Sequence, residues 1–355
     1  MKKKSLNAKK IILKKLLNKL NNPKIRRIYD VFSKNLINLE SNSKLAVALS
    51  GGKDSLALAY LAKCYSVLHG HKIHFYHVDH GLRKDSINEA NQLKSQIKYY
   101  GINCKILKWR GVKPYSNIQA IARKKRYDLL NKECSKNKVK ILLLGHHIDD
   151  VYENFFIRLS RGSGLKGLIS FYSLDKQYEK DLIILRPLYQ LKKKDLDYLT
   201  SEIFNFSIND TSNTNMNFKR IRIRKLLNSL KKEGFDDKKF NLTLRNLSNS
   251  EDSINHYVNK NIKSNTSKNK SNIYIINQDF FQEPLEIVFR SLSFILNQVS
   301  HSYYPPRGKN LQNLINLLSS KKFKKATLSG CIIEKINNSV KIYKEKGKFS
   351  KNAST

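Results

Sequence analysis

Acidic residues are scarce in this chain. Against 68 Lys and Arg there are 28 Asp and Glu, leaving a formal charge of +40. That excess is far beyond what solubility needs and points to a polyanionic partner, nucleic acid first, although an AT-rich coding bias toward Lys, Asn and Ile accounts for part of it. Cysteine is equally sparse. Cys64, Cys104, Cys134 and Cys331 lie far apart, with no C-x-x-C pair and no metal-ligand spacing. This argues against a zinc site and fits a reduced compartment, cytoplasmic or plastid stroma. No stretch approaches the roughly 18–20 apolar residues of a membrane span, and the first residues lack a signal-peptide core, so a soluble protein with no membrane partner is expected. MKKKSLNAKKIILKKLLNKL has no Arg and only one Ser, unlike a transit peptide. Its Leu13, Leu16, Leu17 and Leu20 recur at helical spacing, which predicts a basic surface helix. There is no internal repeat.

The 355 residues, 40% of them hydrophobic, suffice for two or three packed domains. From residue 45 to 160, short apolar runs alternate with helical patterns. KLAVALS, KIHFYHV, CKILKW and VKILLLG read as strands, and the segments around 55–68, 86–100, 117–133 and 148–159 as helices. Such alternation predicts an α/β domain with a doubly wound, mostly parallel sheet. Ligands of these sheets bind at the strand carboxyl ends. Here those ends carry Ser50, Asp79 with His80, and Gly145 with His146. Beyond Arg224 the texture becomes helical and polar, and KSNTSKNKSN reads as a flexible linker. The last stretch reads as helices followed by a hairpin turning at Asn337 and Asn338. The expected organisation is therefore basic N-terminal helices over 1–43, the α/β domain over 44–224, a helical connector and linker over 225–272, and a small C-terminal α+β domain over 273–355.

Residues 44–60, KLAVALSGGKDSLALAY, place two glycines and three polar residues between two apolar segments. A turn from a buried strand into a buried helix leaves the first helical N–H groups unpaired, at the positive end of the helix dipole. That is an anion site. Gly51 and Gly52 let the backbone approach an anion, Ser50 and Ser55 offer hydroxyls, Lys53 adds charge, and Asp54 can hold a Mg²⁺ that bridges phosphate oxygens. The Walker pattern G-x-x-x-x-G-K-[ST] is absent, which excludes an ordinary P-loop.

SGGKDS resembles the S-G-G-x-D-S signature of the PP-loop ATP pyrophosphatases. HVDHGLR at 77–83, ARKKRYDLL at 122–130, GHHIDDVYENFFIRLSRGSGLKGL at 145–168, RPL at 186–188, NDTSN at 209–213, RIRIR at 220–224, YPPR at 304–307 and TLSGC at 327–331 follow in the order seen in tRNA(Ile)-lysidine synthetases. Asn154 and Ile221 depart from that family's pattern, which has Thr and Asn there. The resemblance implies a Rossmann-like PP-loop ATPase domain that uses ATP and Mg²⁺ to adenylate C2–O of the wobble cytidine in a CAU anticodon. Free L-lysine then displaces AMP. The partners implied are tRNA(Ile) and lysine, and a homodimer is compatible with the reading.

By the same resemblance, Ser50, Gly51, Gly52, Lys53, Asp54, Ser55, Asp79, His80 and His146 would bind ATP, with Asp54 also the metal ligand. Asp150 and Glu153, spaced i, i+3 on a helix, would hold the lysine ammonium or accept its proton, or else ligate the metal. Arg123 would reach ATP or the activated base. Arg161, Arg220, Arg222, Arg224 and Arg307 would contact tRNA, the alternating RIRIR as a basic edge. His146 and His147, adjacent at a strand end, point to opposite sides. Two rival readings are a tRNA thiolase of the same superfamily, disfavoured by the missing C-x-x-C, and a basic RNA-binding protein without catalysis.

Overall fold

The computed structural model describes residues 11–345 except 38, 41–42, 84, 173–176, 180–181, 209–218, 270, 303–304 and 321. The chain divides into two compact units, Met1–Leu244 and Arg245–Thr355.

In the first unit the expected alternation appears as β1 (Lys44–Leu49), β2 (Lys72–Asp79), β3 (Cys104–Lys108) and β4 (Ile141–Leu143). Two strands were not foreseen, β5 (Gln177–Glu179) and β6 (Leu182–Leu185). The sheet order is β3-β2-β1-β4-β6-β5, parallel throughout except for the antiparallel edge strand β5. Strands buried on both faces read as continuous apolar runs, as in LAVAL. Leu45, Val47 and Leu49 face one core, whereas Ala46, with Tyr76, Leu107, Leu142 and Leu144, belongs to the other. The period of two thus divides the core into two layers.

The helices crossing between strands match the expected segments. They are α2 (Lys53–His69), α3 (Ser86–Lys98), α4 (Ile118–Lys136) and α5 (Ile148–Leu159). Every residue of α2 from Ser55 to Ala62 is buried, and Gly70 closes the helix in the left-handed conformation at φ 72°. Before β1 lies α1 (Pro23–Lys34), with Pro23 at its first turn and the Asn22 side chain accepting from the N–H groups of Lys24 and Ile25. Residues 11–18 are helical. Leu16 and Leu20 from the leucine stripe join Ile25, Ile28 and Phe32 in the first core layer, so these basic helices pack as part of the α/β unit.

After β6 come α7 (Lys193–Ile203), which packs on α2, and α8 (Lys219–Lys232), which packs on α5; between α5 and β5 stands the short α6 (Leu165–Leu168). Packing on α5 keeps α8 within the first unit, past the boundary expected near 225. The division falls instead inside the long helix α9 (Asp237–Asn265).

The second unit is an antiparallel sheet of order β7-β8-β11-β10-β9, with α10 (Leu285–Ser300) and α11 (Gly308–Leu318) packed on it. KSNTSKNKSN is not a free linker: α9 runs through Asn265, and β7 (Thr266–Lys268) pairs with β8 (Tyr274–Ile276). TLSGC turns from β9 (Lys325–Leu328) into β10 (Cys331–Ile336) with Ser329 and Gly330 both at positive φ, as a two-residue hairpin demands. The second hairpin, into β11 (Ser339–Lys344), turns at Asn337 and Asn338 as expected, Asn337 taking φ 50°. Among the described residues no helix is long and apolar enough to cross a membrane.

Candidate active site

Strand order reverses between β1 and β4, and the crevice at their carboxyl ends is where such sheets bind ligands. SGGKDS occupies it. Gly51 takes φ 91°, a conformation that disfavours any side chain, and a Cβ there would meet Ile208 Cδ1 at 2.6 Å. Ser55 is buried. Its hydroxyl accepts from the N–H groups of Ser50 (3.2 Å) and Gly51 (3.1 Å) and donates to the Gly52 carbonyl (2.8 Å). The expected phosphate-binding hydroxyl of Ser55 is therefore occupied in shaping the loop. Ser50 is exposed, its hydroxyl donating to Ser55 Oγ at 3.1 Å, and Gly52 caps α2 with no side chain over its first turn. From β4, Gly145 closes in on this turn so tightly that a Cβ would stand 3.1 Å from the Asp54 carbonyl oxygen.

Acids gather beside the loop. Asp54 Oδ1 accepts from Lys193 Nζ at 2.6 Å, and the same ammonium lies 3.1 Å from Asp197. His147 stands between carboxylates: its Nε2 is 3.8 Å from Asp54 and 3.5 Å from Asp150, and Asp149 lies 3.5 Å from its Nδ1. Burial disfavours charge on His147, but Asp149, Asp150 and Asp54 more than reverse this and raise its pKa. Asp149 is held at about 2 despite its burial, through His147 and the Lys193 N–H at 2.8 Å. Asp150 also accepts from the His147 N–H (3.1 Å), which fixes the first turn of α5. His147, Asp149 and Lys193 were absent from the expected site. The first acid of IDD, Asp149, was a readable signal, whereas Lys193 carries none.

His146 faces cations instead. Arg186 donates from Nε to His146 Nδ1 (3.1 Å), which puts the ring proton on Nε2. Burial and the charges of Arg186, Arg123 and Arg220 push its pKa down to about 3. The two adjacent histidines do diverge, one into a neutral ring among arginines and one among aspartates that favour its charged form.

Glu153 lies buried and forms a two-pronged ion pair with Arg224, one prong at 3.3 Å. Burial pushes its pKa up, with Arg224 pulling the other way. This corrects two expectations together. Glu153 is not an open partner for a lysine ammonium, and Arg224 is not a free phosphate contact. RIRIR is helical, within α8, so Arg220 and Arg224 share a face and Arg222 lies roughly half a turn away, which dissolves the proposed basic edge. Asn154, one of the departures, donates to Ser170 Oγ at 3.3 Å and accepts from Arg158 at 3.4 Å.

At the carboxyl end of β2, Asp79 is buried and its carboxylate accepts the Gly81 N–H (2.9 Å), shaping the turn. His80 Nε2 meets Arg126 Nε at 3.3 Å, and burial with the Arg126 charge pushes its pKa down to about 4. Arg123 donates to Tyr127 OH at 3.3 Å. Arg161 is exposed just after α5, and Arg307 caps α11 in the second unit. NDTSN at 209–213 lies outside the described residues.

Replacing Glu153 with Gln removes the charge opposite Arg224, and we expect a stability loss of about 1–3 kcal/mol in urea unfolding. Adding Arg224→Gln should restore part of it. An unchanged midpoint for Glu153→Gln would show that the carboxylate serves substrate alone. His147 has a folded pKa above the ordinary 6.5, so its pairing contributes fully below about 6.5 and fades as pH rises through the raised value. Asp149 contributes above about 3.8 and fades as pH falls toward about 2. His147→Gln should therefore cost more stability near pH 6 than near pH 9, by on the order of 1 kcal/mol; equal costs at both would refute the charge assigned to His147.

Comparison with known proteins bears on the same residues. The PP-loop domain family profile matches residues 21–230. Curated tRNA(Ile)-lysidine synthases resemble the chain closely. That of Orientia tsutsugamushi (strain Boryong) is 35% identical over 324 residues, spanning 87% of this chain and 71% of the relative. Those of Rickettsia felis and Wolbachia pipientis wMel are 31% and 30% identical, each over 90% of this chain and 75% of the relative. Among solved structures, the U34-tRNA thiolase NcsA from Methanococcus maripaludis with its 4Fe-4S cluster superposes with a TM-score of 0.51 at 22% identity, covering 59% of this chain and 74% of that one. That likeness is one of fold. Relatives of this identity and coverage, together with an SGGKDS turn at the switch point, establish that the chain belongs to the tRNA(Ile)-lysidine synthase family of PP-loop ATP-dependent enzymes.

Proposed function

We propose that the protein ligates the side-chain amine of lysine to C2 of the wobble cytidine of a CAU-anticodon tRNA(Ile), converting ATP to AMP and diphosphate by way of an adenylated cytidine. The observation that carries this reading is the SGGKDS turn beside the Asp54, Asp149 and Asp150 carboxylates in one crevice. The open first turn of α2, the Ser50 hydroxyl and Lys53 suit the diphosphate end of ATP. As the C2 oxygen attacks the α-phosphorus, the diphosphate leaves toward that turn.

The donors beside the turn are hard oxygens, which suit Mg²⁺ rather than a soft metal. Mg²⁺ is commonly held by one or two carboxylates plus substrate phosphates. Asp54 would hold it, exchanging its Lys193 partner for the ion, and the ion would neutralise charge on the departing diphosphate. For the second step, lysine must arrive with its amine deprotonated or lose a proton there. Asp150 is the group we assign to the ammonium, because it is partly exposed among the acids while Glu153 is already balanced by Arg224. Asp149, Asp150 and Asp54 around His147 favour its protonated form. Arg123, Arg186 and Arg220 around His146 suit the nucleotide and RNA phosphates.

The thiolase alternative needs reactive sulfur. All four cysteines are buried, and burial pushes Cys64, Cys104 and Cys134 up to about 12 and Cys331 to about 11, so none is a thiolate at neutral pH. A pure RNA binder would show tRNA affinity without AMP. Incubation with ATP, lysine and a CAU-anticodon tRNA, followed by nucleoside mass analysis, should show cytidine gaining lysine with loss of water; sulfur incorporation or an unmodified cytidine would sink the reading. Asp54→Asn should abolish AMP release while tRNA binding stays within about twofold, since the carboxylate serves the metal and diphosphate rather than RNA. Normal AMP release from this variant would remove Asp54 from the first step.

A further inference from the structure

Between β3 and α4 a loop carries the barest large hydrophobic side chains among the described residues, Tyr115 at 98% and Val112 at 88% exposure. Its base is nonetheless pinned. Lys113 Nζ donates to the carbonyls of His80 (2.6 Å) and Trp109 (2.9 Å) and sits 4.1 Å over the Trp109 ring. The Trp109 N–H donates to the Asp79 carbonyl at 2.9 Å. Gly111 at φ 107° and Asn117 at φ 50° bend the chain at either end of the loop. Because His80 directly follows β2, the neighbour of β1, this pedestal stands on the same sheet edge as SGGKDS. Exposed Lys108, Arg110, Lys124 and Lys125 flank it.

We propose that Tyr115 is a stacking platform for an unpaired base of the tRNA anticodon loop, a role that rests on the tRNA substrate proposed above. A ring exposed on nearly all sides contributes nothing to the fold, and a base laid on it gains the stacking that single-stranded RNA readers use. The flanking cations supply phosphate contacts with the matching sign. Adenine of ATP is a poorer occupant: small ligands are held by walls on several sides, and Tyr115 has none. An RNA loop brings its own opposite wall in the neighbouring base.

The test measures equilibrium binding of a CAU-anticodon tRNA at several salt concentrations, alongside binding of ATP alone and the thermal midpoint. Tyr115→Ala should weaken tRNA binding by roughly five- to a hundredfold. Tyr115→Phe, which keeps the ring, should stay within about twofold. The salt slope of Tyr115→Ala should match that of the parent, because a neutral ring releases no counterions, whereas Lys124→Gln should lower the slope by about one. ATP binding and the midpoint should not move. Unchanged tRNA affinity in Tyr115→Ala overturns the proposal, as does an equal loss in Tyr115→Phe or a loss confined to ATP. Because the readout is binding, failure to find lysidine would count against the reaction while the tRNA affinity still decides the role of Tyr115.

Discussion

Five parallel strands must deliver their carboxyl ends to one edge, and the chain reverses its direction of winding between β1 and β4. Everything chemical in the first unit hangs on that reversal. It opens a crevice between the two strand ends, and it brings SGGKDS after β1 against GHHIDD after β4, segments almost a hundred residues apart in the chain. The approach is close because two glycines permit it. Gly145 has no side chain to strike the Asp54 peptide, and Gly51 takes a positive φ under Ile208. The Ser55 hydroxyl then holds the turn open by taking two N–H groups and giving its proton to a third residue. A loop shaped from within can bind and release an anion without folding and unfolding each time.

Much of this was legible because the period of each element is local. Strands β1 to β4 and helices α2 to α5 follow from apolar runs, spacing and turn residues that lie next to one another in the chain. What escaped the reading has a common physical cause. Lys193 reaches Asp54 across 139 residues, and Glu153 reaches Arg224 across 71, and no local pattern announces such pairs. LIIL at 182–185 is a bare four-residue run, too short to be told from loop by periodicity, yet it pairs with β4 and widens the sheet. RIRIR failed differently. Alternation suggested an extended edge, but packing of Ile223 and Leu227 into the first unit settled it as helix, and a helix turns alternating arginines to opposite sides.

The deepest consequence lies in two neighbouring histidines. His146 leaves β4 and His147 caps α5, so the backbone sends their rings apart. One ring enters a cationic half of the crevice with Arg123, Arg186 and Arg220, and the other an anionic half with Asp54, Asp149 and Asp150. Each half would be costly alone, since like charges crowded under partial burial repel strongly. Each half biases its own ring, the arginines holding His146 neutral and the aspartates favouring the charged form of His147.

Such a divided crevice suits a substrate pair of opposite sign. A polyanion, carrying phosphates, is drawn to the arginines, while a cation, whether a metal ion or an ammonium, is drawn to the aspartates. The division also explains why Lys193 sits where it does. Its ammonium, reaching in from α7, balances Asp54 at 2.6 Å and Asp197 at 3.1 Å at the anionic half. Its tether is flexible and nearly half exposed, so it can withdraw without disturbing the sheet. Glu153 is itself buried and gripped by two prongs of Arg224, and for that reason we assign the pair to holding α8 against α5 and propose Asp54 and Asp150 for the exchangeable chemistry.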